Sequence, residues 1–279
     1  MHMKTPESLA GKAMVITGAG RGIGAVVAET AAGLGAFVVV NDLDADVANE
    51  TVDRIKQLGG SAVAHCGDIS DPDYCGRLID ACIAERSQID ALVNNAGLFR
   101  MGLAWDLKPV DLRAMLSVNV LGTANCAMHA IPRMRAAGKG SIINVTSGAA
   151  SGIAEMSAYG ATKGAVSSMT YGWALDLAGT GVRVNAVSPN ATTRMVTAMQ
   201  EFKGVEGKPR PFQDPRHTAE TVCFLASDRS AHVNGQIFRI ASGQLSLVAQ
   251  PKPIQPGVSV ADWSIDTVAE AVQELIAGL

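Results

Sequence analysis

The sequence has no run of uncharged apolar residues long enough to cross a bilayer, and its opening stretch, MHMKTPES, carries no secretory h-region. Neither a membrane partner nor export is expected. Basic residues do not cluster and the net charge is only −3, so a nucleic-acid surface is not expected either. Cysteine is sparse. The five, at 66, 75, 82, 126 and 223, form no CxxC pair and no Cys/His group with zinc spacing. This argues against a metal ion or a disulfide framework. It fits reduced thiols in a cytoplasmic protein, each acting as a small buried hydrophobe. No repeat of fixed short period is present.

What is present is 279 residues, 48% of them hydrophobic, enough for one large α/β domain or two small ones. Short β-branched runs alternate with longer Ala-rich segments. The runs at 13–17, 37–41, 62–66, 91–95, 141–146, 182–187 and 236–240 are expected as strands. Helices are expected near 22–33, 45–58, 71–86, 109–137, 157–178 and 217–226. This alternation implies right-handed βαβ crossovers and a parallel sheet covered on both faces. The strands are apolar throughout, as such covering requires. The domain is expected over 8–248. The remainder, 249–279, begins Pro-rich and ends in an amphipathic helix with Ile265, Val268, Val272, Leu275, Ile276 and Leu279 on one stripe. Ser264 is its expected N-cap. The helix packs either on its own domain or on a neighbouring subunit.

The stretch TGAGRGIG, Thr17 to Gly24, lies between the first strand and the first helix. Strand, glycine loop, helix, strand and acid in succession point to a dinucleotide site. Gly18 permits the tight turn. Gly22 and Gly24 let backbone approach a pyrophosphate, and free N–H groups at the helix start, near Ile23, complete the cradle. Asp42 after the second strand is suited to an adenosine ribose diol and repels a 2′-phosphate, which favours NAD over NADP. Arg21 argues for NADP, which is therefore not excluded. Asp42 outweighs it, because a carboxylate facing a phosphate in a partly desolvated site is costly. Asp68 and Ile69 follow the third strand and are placed to flank adenine. Asn95, Ala96 and Gly97, in NNAG, follow the fourth.

Tyr159 and Lys163 stand four residues apart, on one face of an expected helix. A phenol ordinarily ionises near pH 10. A nearby ammonium and a cationic nicotinamide favour the phenolate, which can then take a proton from an alcohol while hydride leaves the same carbon.

With these motifs in order, the chain resembles the short-chain dehydrogenases/reductases of ordinary length. The shared features are TGxxxGxG (Thr17–Gly24), NNAG (Asn94–Gly97), Asn119 in VNVLGT, Ser147 in NVTSG, and YxxxK (Tyr159–Lys163). The resemblance implies a Rossmann-type, doubly wound sheet of seven strands ordered 3-2-1-4-5-6-7. It also implies roles. Tyr159 is the general acid/base, Lys163 holds the nicotinamide ribose and tunes Tyr159, and Ser147 orients the substrate oxygen. Asn119 anchors a water that relays protons from Lys163. Pro189, Asn190 and Thr192 are implied at the nicotinamide end of the cofactor. A homodimer or homotetramer is implied, pairing through the small-residue helices 109–137 and 157–178.

Two departures stand out. Ser147 lies twelve residues before Tyr159, and Thr146 occupies the distance usual in the family. A shortened loop favours Ser147, with Thr146 the alternative. Asn190 replaces a common glycine after Pro189. The surrounding SPNATTRM, with VVVNDL and NAGLFR, is locally similar to the 3-hydroxyacyl-CoA dehydrogenase module of peroxisomal multifunctional enzymes. The pocket is expected to be walled by Leu98, Phe99, Ile153, Met156, Asn190, Met195, Met199 and Phe202, suiting an apolar alcohol such as a hydroxyacyl-CoA, a steroid or an alicyclic alcohol. Segment 200–215 has the composition of a lid, and Lys203, Lys208 and Arg210 could meet a CoA phosphate. A non-catalytic dinucleotide sensor is the alternative from another class, and a proton-relay set is superfluous to it. A sugar-nucleotide epimerase needs a larger C-terminal domain than this chain provides.

Overall fold

The short apolar runs form strands, and the inner ones are buried between helices on both faces. β1 (Ala13–Ile16), β2 (Phe37–Asp42), β3 (Ser61–Cys66), β4 (Ala91–Asn94), β5 (Gly140–Val145), β6 (Val182–Pro189) and β7 (Ile237–Ala241) are parallel. An eighth strand, β8 (Gln244–Leu247), pairs antiparallel with β7. The protein is described here by a computed structural model covering residues 8–190 and 214–277. The sheet order is β3-β2-β1-β4-β5-β6-β7-β8. The expected seven-strand order is present, and the added strand corrects the count. Ser242 and Gly243 both take positive φ (52° and 74°) between β7 and β8, the geometry of a two-residue hairpin that follows the strand twist.

Period-two alternation divides the core between the two faces of the sheet. Met14, Ile16, Val38 and Val40 pack under α1 (Gly22–Gly33), α2 (Ala45–Gln57) and α7 (Arg216–Ala226). Ala13, Val15, Phe37 and Val39 face α3 (Pro72–Arg86), α5 (Thr123–Ala137) and α6 (Ser157–Asp176). Only the inner strands are apolar on both faces. β3, at one edge, is half-exposed, and β8, at the other, is exposed along its length.

The helix expected over 109–137 is interrupted. α4 (Pro109–Met115) passes into a π-helical segment, Leu116–Gly122, before α5 begins. By its length, and with an 18-residue window of mean hydropathy 1.2, this stretch could cross a bilayer. Here it is the crossover between β4 and β5, and Met115, Asn119, Cys126, Ala130 and Met134 are buried within the fold. α2 and α3 start at Asp44 and Asp71, whose carboxylates accept the Asp46 and Asp73 N–H groups, satisfying first-turn donors.

The chain divides into two compact units, one ending at Val248 and one running from Ala249 to Leu279. In the second, Ser264 Oγ accepts the Thr267 N–H (3.2 Å) ahead of α8 (Ile265–Ala277). Leu279 lies outside the described residues, as do Thr192, Met195, Met199, Phe202, Lys203, Lys208 and Arg210.

Candidate active site

Among the described residues, the loops that begin at Thr17, Asp42, Gly67, Asn95, Thr146 and Asn190 emerge at the C-terminal ends of β1 to β6, around the point where strand order reverses between β1 and β4. Open α/β sheets bind ligands at such a crevice. Thr17 ties two of these loops together. Its Oγ1 accepts the N–H groups of Asn95 and Ala96 (both 3.1 Å), and Asn95 Nδ2 donates to the carbonyls of Thr17 and Gly18 (both 2.9 Å).

Gly18 turns at φ 61°, and a Cβ there would lie 2.7 Å from Ala96 Cα. A Cβ at Gly24 would collide with the Gly18 carbonyl oxygen and lie 2.5 Å from Asn95 Nδ2. Gly24 therefore packs helix against loop. Gly22, at φ 61° with open space where a Cβ would be, is the glycine that leaves room for a ligand. Arg21 precedes α1, offers no side-chain cap, and the first turn holds no acid. The first-turn N–H groups are thus left for an anion, which is what a pyrophosphate requires. These features fit a dinucleotide. Ile23 packs on the α1-side core.

Asp42 is half-buried at the end of β2. Its Oδ2 accepts the Gly20 N–H (3.0 Å) and its Oδ1 the Asp44 N–H (3.2 Å). Arg21 turns toward Asp44, with Nη2 3.7 Å from Oδ2. Ile69 is buried, and a Cβ on Gly122 would lie 2.6 Å from its Cδ1. Asp68 is exposed and accepts the Ser70 N–H at 2.8 Å. Gly20 is a residue the sequence reading passed over. A Cβ there would lie 2.5 Å from Val47 Cγ2 and 2.9 Å from the Asp42 carboxylate. Its signal is that it is the second of the loop's four glycines, at a position the family pattern leaves unspecified.

At the other end of the crevice, Tyr159 and Lys163 are both buried on α6. Lys163 Nζ donates to the Val145 carbonyl (2.7 Å) and stands 5.9 Å from the Tyr159 ring centroid. The ring of Phe99 meets that of Tyr159 edge-on, with centroids 4.9 Å apart. Burial pushes the phenol up to about 12, against a hydrogen bond with the Ser147 hydroxyl that pulls it down. Burial also lowers the Lys163 ammonium to about 8. The shift toward neutrality expected from the sequence rests on the ammonium together with a cationic nicotinamide. Desolvation works against both, because the ring is enclosed by apolar neighbours: Met115, Ala149, Leu98, Phe99 and Met156 cluster about it.

The two candidate hydroxyls are clearly separated. Thr146 is buried, and its Oγ1 donates to the Lys163 carbonyl (2.9 Å) and meets Ser167 Oγ (2.8 Å). Ser147 instead caps the 3-10 turn Gly148–Ser151, accepting the Ala149 N–H (3.2 Å), and reaches Tyr159. That turn approaches α6 because Gly160 has no side chain: a Cβ there would strike the Ala149 carbonyl oxygen. Gly160, beside the tyrosine, is a second residue that sequence reasoning missed.

Asn119 sits inside the π-helical segment and is fully buried. Its Oδ1 accepts the Leu98 N–H (2.7 Å), and its Nδ2 donates to the Leu98 carbonyl (2.9 Å) and Thr162 Oγ1 (3.0 Å). Its side chain therefore fixes the loop after NNAG. A Cβ on Gly97 would lie 3.4 Å from Asn119 Oδ1 and 3.6 Å from Lys163 Nζ, so all three residues converge. Pro189 ends β6, and Asn190, exposed, donates its N–H to the Ile240 carbonyl (2.9 Å). Ile153 is also exposed and is not among the residues clustered around Tyr159. Among the described residues no His/Cys/Asp/Glu group could hold a metal ion.

A phosphate cradle joined to a buried Tyr/Lys/Ser cluster defines an NAD(P)-dependent alcohol dehydrogenase or ketoreductase. The profile described as short chain dehydrogenase matches residues 12–204. The chain belongs to the short-chain dehydrogenase/reductase family. It is 36% identical over 242 residues to the 7alpha-hydroxysteroid dehydrogenase of Escherichia coli strain K12, covering 84% of this chain and 94% of that one. It is 35% identical over 245 residues to the cis-4-hydroxycyclohexanecarboxylate dehydrogenase of Sinomonas cyclohexanicum, covering 85% and 98%. A crystal structure of a short chain dehydrogenase from Mycobacterium avium superposes with TM-score 0.86 at 29% identity, covering 97% of this chain and 96% of that one. A 7 alpha-hydroxysteroid dehydrogenase complexed with NADH and 7-oxo glycochenodeoxycholic acid superposes with TM-score 0.77 at 36% identity, covering 84% and 94%.

Proposed function

We propose that the protein interconverts an alicyclic secondary alcohol and its ketone, using NAD(H) in preference to NADP(H). The observation that carries the reading is the buried Tyr159 phenol, hydrogen-bonded by Ser147 and faced by Lys163, at one end of the glycine crevice. Tyr159, protonated in this enclosed setting, donates to a ketone oxygen in reduction and takes the alcohol proton in oxidation. Ser147 holds the same oxygen. When bound, NAD would supply the hydride acceptor, and its oxidised ring would carry the positive charge that favours the phenolate. Lys163 stays largely charged at neutral pH and favours the phenolate. Its proton leaves by way of water held near Asn119, whose side chain fixes the Leu98 backbone and Thr162 beside it.

Thr17, Gly18, Gly22, Ile23, Gly24, Asn95, Ala96 and Gly97 hold the dinucleotide. Asp68 and Ile69 flank its adenine, and Asp42 takes the ribose diol. Asp42 supports NAD, since its carboxylate is anchored by two backbone N–H groups and cannot readily turn from a 2′-phosphate. The apolar cluster around Tyr159 supports a hydrocarbon-rich substrate. Two relatives named for ring-borne hydroxyls favour a cyclic one. We also infer a homodimer or homotetramer, because Leu116, Leu121 and Met128 are exposed along the π segment and α5.

Following nicotinamide absorbance with NAD and NADP against hydroxysteroids, cyclic alcohols and hydroxyacyl thioesters tests the reading. Turnover is expected with cyclic alcohols and NAD. Turnover confined to thioesters would overturn the substrate class, and a clear NADP preference would overturn the argument from Asp42. Tyr159→Phe is expected to lower kcat by about 10²- to 10⁴-fold while leaving NAD affinity intact.

A further inference from the structure

Arg21 is the one residue of the glycine loop whose charge suits a 2′-phosphate, and the structure shows where that charge goes. Asp44 begins α2. Its Oδ1 is held by the Asp46 N–H (3.2 Å), which leaves Oδ2 directed at Arg21 Nη2, 3.7 Å away. The backbone N–H of Asp44 is in turn held by Asp42, so both carboxylates are anchored to the start of α2, and the longer arginine side chain comes to Asp44. A cavity of about 370 Å³ borders Gly20, Arg21, Gly22, Val47, Glu50 and Arg54. Arg54, its other cation, is also engaged: Nε lies 2.8 Å from Glu29 Oε1 and Nη2 donates to Thr51 Oγ1 (2.8 Å). Among the described residues, both cations lining this cavity are therefore matched by acids, and Glu50 adds a further negative charge.

We propose that Asp44 is a specificity-determining residue for the cofactor. It acts as a positioning residue, holding Arg21 in an ion pair so that its guanidinium does not serve a 2′-phosphate. Asp42 discourages the phosphate directly, and Asp44 removes the cation that would otherwise attract it. The inference rests on the NAD reading above but is separable from it.

Asp44→Asn is the suitable variant, because asparagine keeps the N-cap acceptor and loses only the charge. Dissociation constants for NAD and NADP are measured by calorimetric titration on the unaltered full chain, Asp44→Asn, Arg21→Ala and the double variant, with thermal midpoints as a check on folding. An exposed pair contributes up to about 1 kcal/mol. Releasing Arg21 is therefore expected to tighten NADP about three- to fivefold, with NAD changed less than about twofold. The gain should vanish when Arg21 is already alanine. An equal gain in both backgrounds would show that Asp44 acts by bare repulsion alone, and no gain in either would show that it does not act on the phosphate; each overturns the proposal. Preference of the unaltered protein for NADP defeats the NAD reading instead, and it is read from a different comparison than the coupling of Asp44 to Arg21.

Discussion

Thr146 and Ser147 are adjacent hydroxyls at the end of one strand, and strand alternation sends them to different places. Thr146 turns toward α6 and bonds its backbone; Ser147 opens toward the phenol of Tyr159. Ser147→Ala is expected to cost about a hundredfold or more in kcat, as loss of a hydrogen bond to the reacting oxygen does. Thr146→Ala is expected to keep kcat within about tenfold and to lose about 1 kcal/mol of stability, the usual worth of one buried hydrogen bond. Steady-state rates with thermal denaturation on the two variants check this pair, and the reverse ranking would reassign the hydroxyl to Thr146. The loop between serine and tyrosine is one residue shorter than is usual in the family. Ser147 still reaches the phenol because Gly160 lets the 3-10 turn lie directly on α6.

At the scale of elements, the glycine loop separates two requirements that a motif merges. Gly22 has space but a positive φ, so Gly22→Ala is expected to cost about 1–2 kcal/mol of backbone strain. Gly24→Ala meets the Gly18 carbonyl and Asn95, so α1 must move away from the glycine loop. It is expected to lose more stability than Gly22→Ala and to weaken NAD at least about tenfold. Thermal midpoints and NAD titration on both variants test the ranking. The π-helical segment around Asn119 belongs to this scale as well. Such segments are rare and concentrate at functional sites, and this one places Asn119 where its amide clasps both backbone groups of Leu98.

At the scale of the whole molecule, the site costs stability in order to function. Lys163 is buried with its pKa lowered from 10.5 to about 8. Between those values the unfolded chain holds the proton and the folded chain releases it, so this group's contribution to stability rises with pH across that window. Tyr159 works the other way. With its pKa raised from 10.0 to about 12, it is ionised first in the unfolded chain, and its contribution falls as pH rises through that range. Lys163→Met is expected to abolish most activity and to remove the rise: the stability difference, wild type minus variant, should increase from pH 8 to 10.5. Urea midpoints at the two ends of that window measure it, and a flat difference would mean that Lys163 is better solvated than its burial indicates. Sedimentation is expected to show a dimer or tetramer; a monomer alone at micromolar concentration would contradict the exposed Leu116, Leu121 and Met128 surface.

The amino-acid sequence by itself determined the alternation of strand and helix, the order of the parallel strands through family resemblance, and where the glycine loop and the Tyr159/Lys163 pair fall on those elements. These are local patterns, with period two, period 3.6, and glycines beside a strand end. β8 was also legible in principle, since Ser242–Gly243 is a hairpin signal between two alternating runs, but a parallel-sheet expectation obscured it. Only the tertiary structure decided that Thr146 is internal, that Arg21 faces Asp44, that Asn119 lies in a π turn, and that burial raises Tyr159. Each depends on which atoms from distant segments converge. Desolvation and close approach are properties of that convergence and not of any stretch of chain.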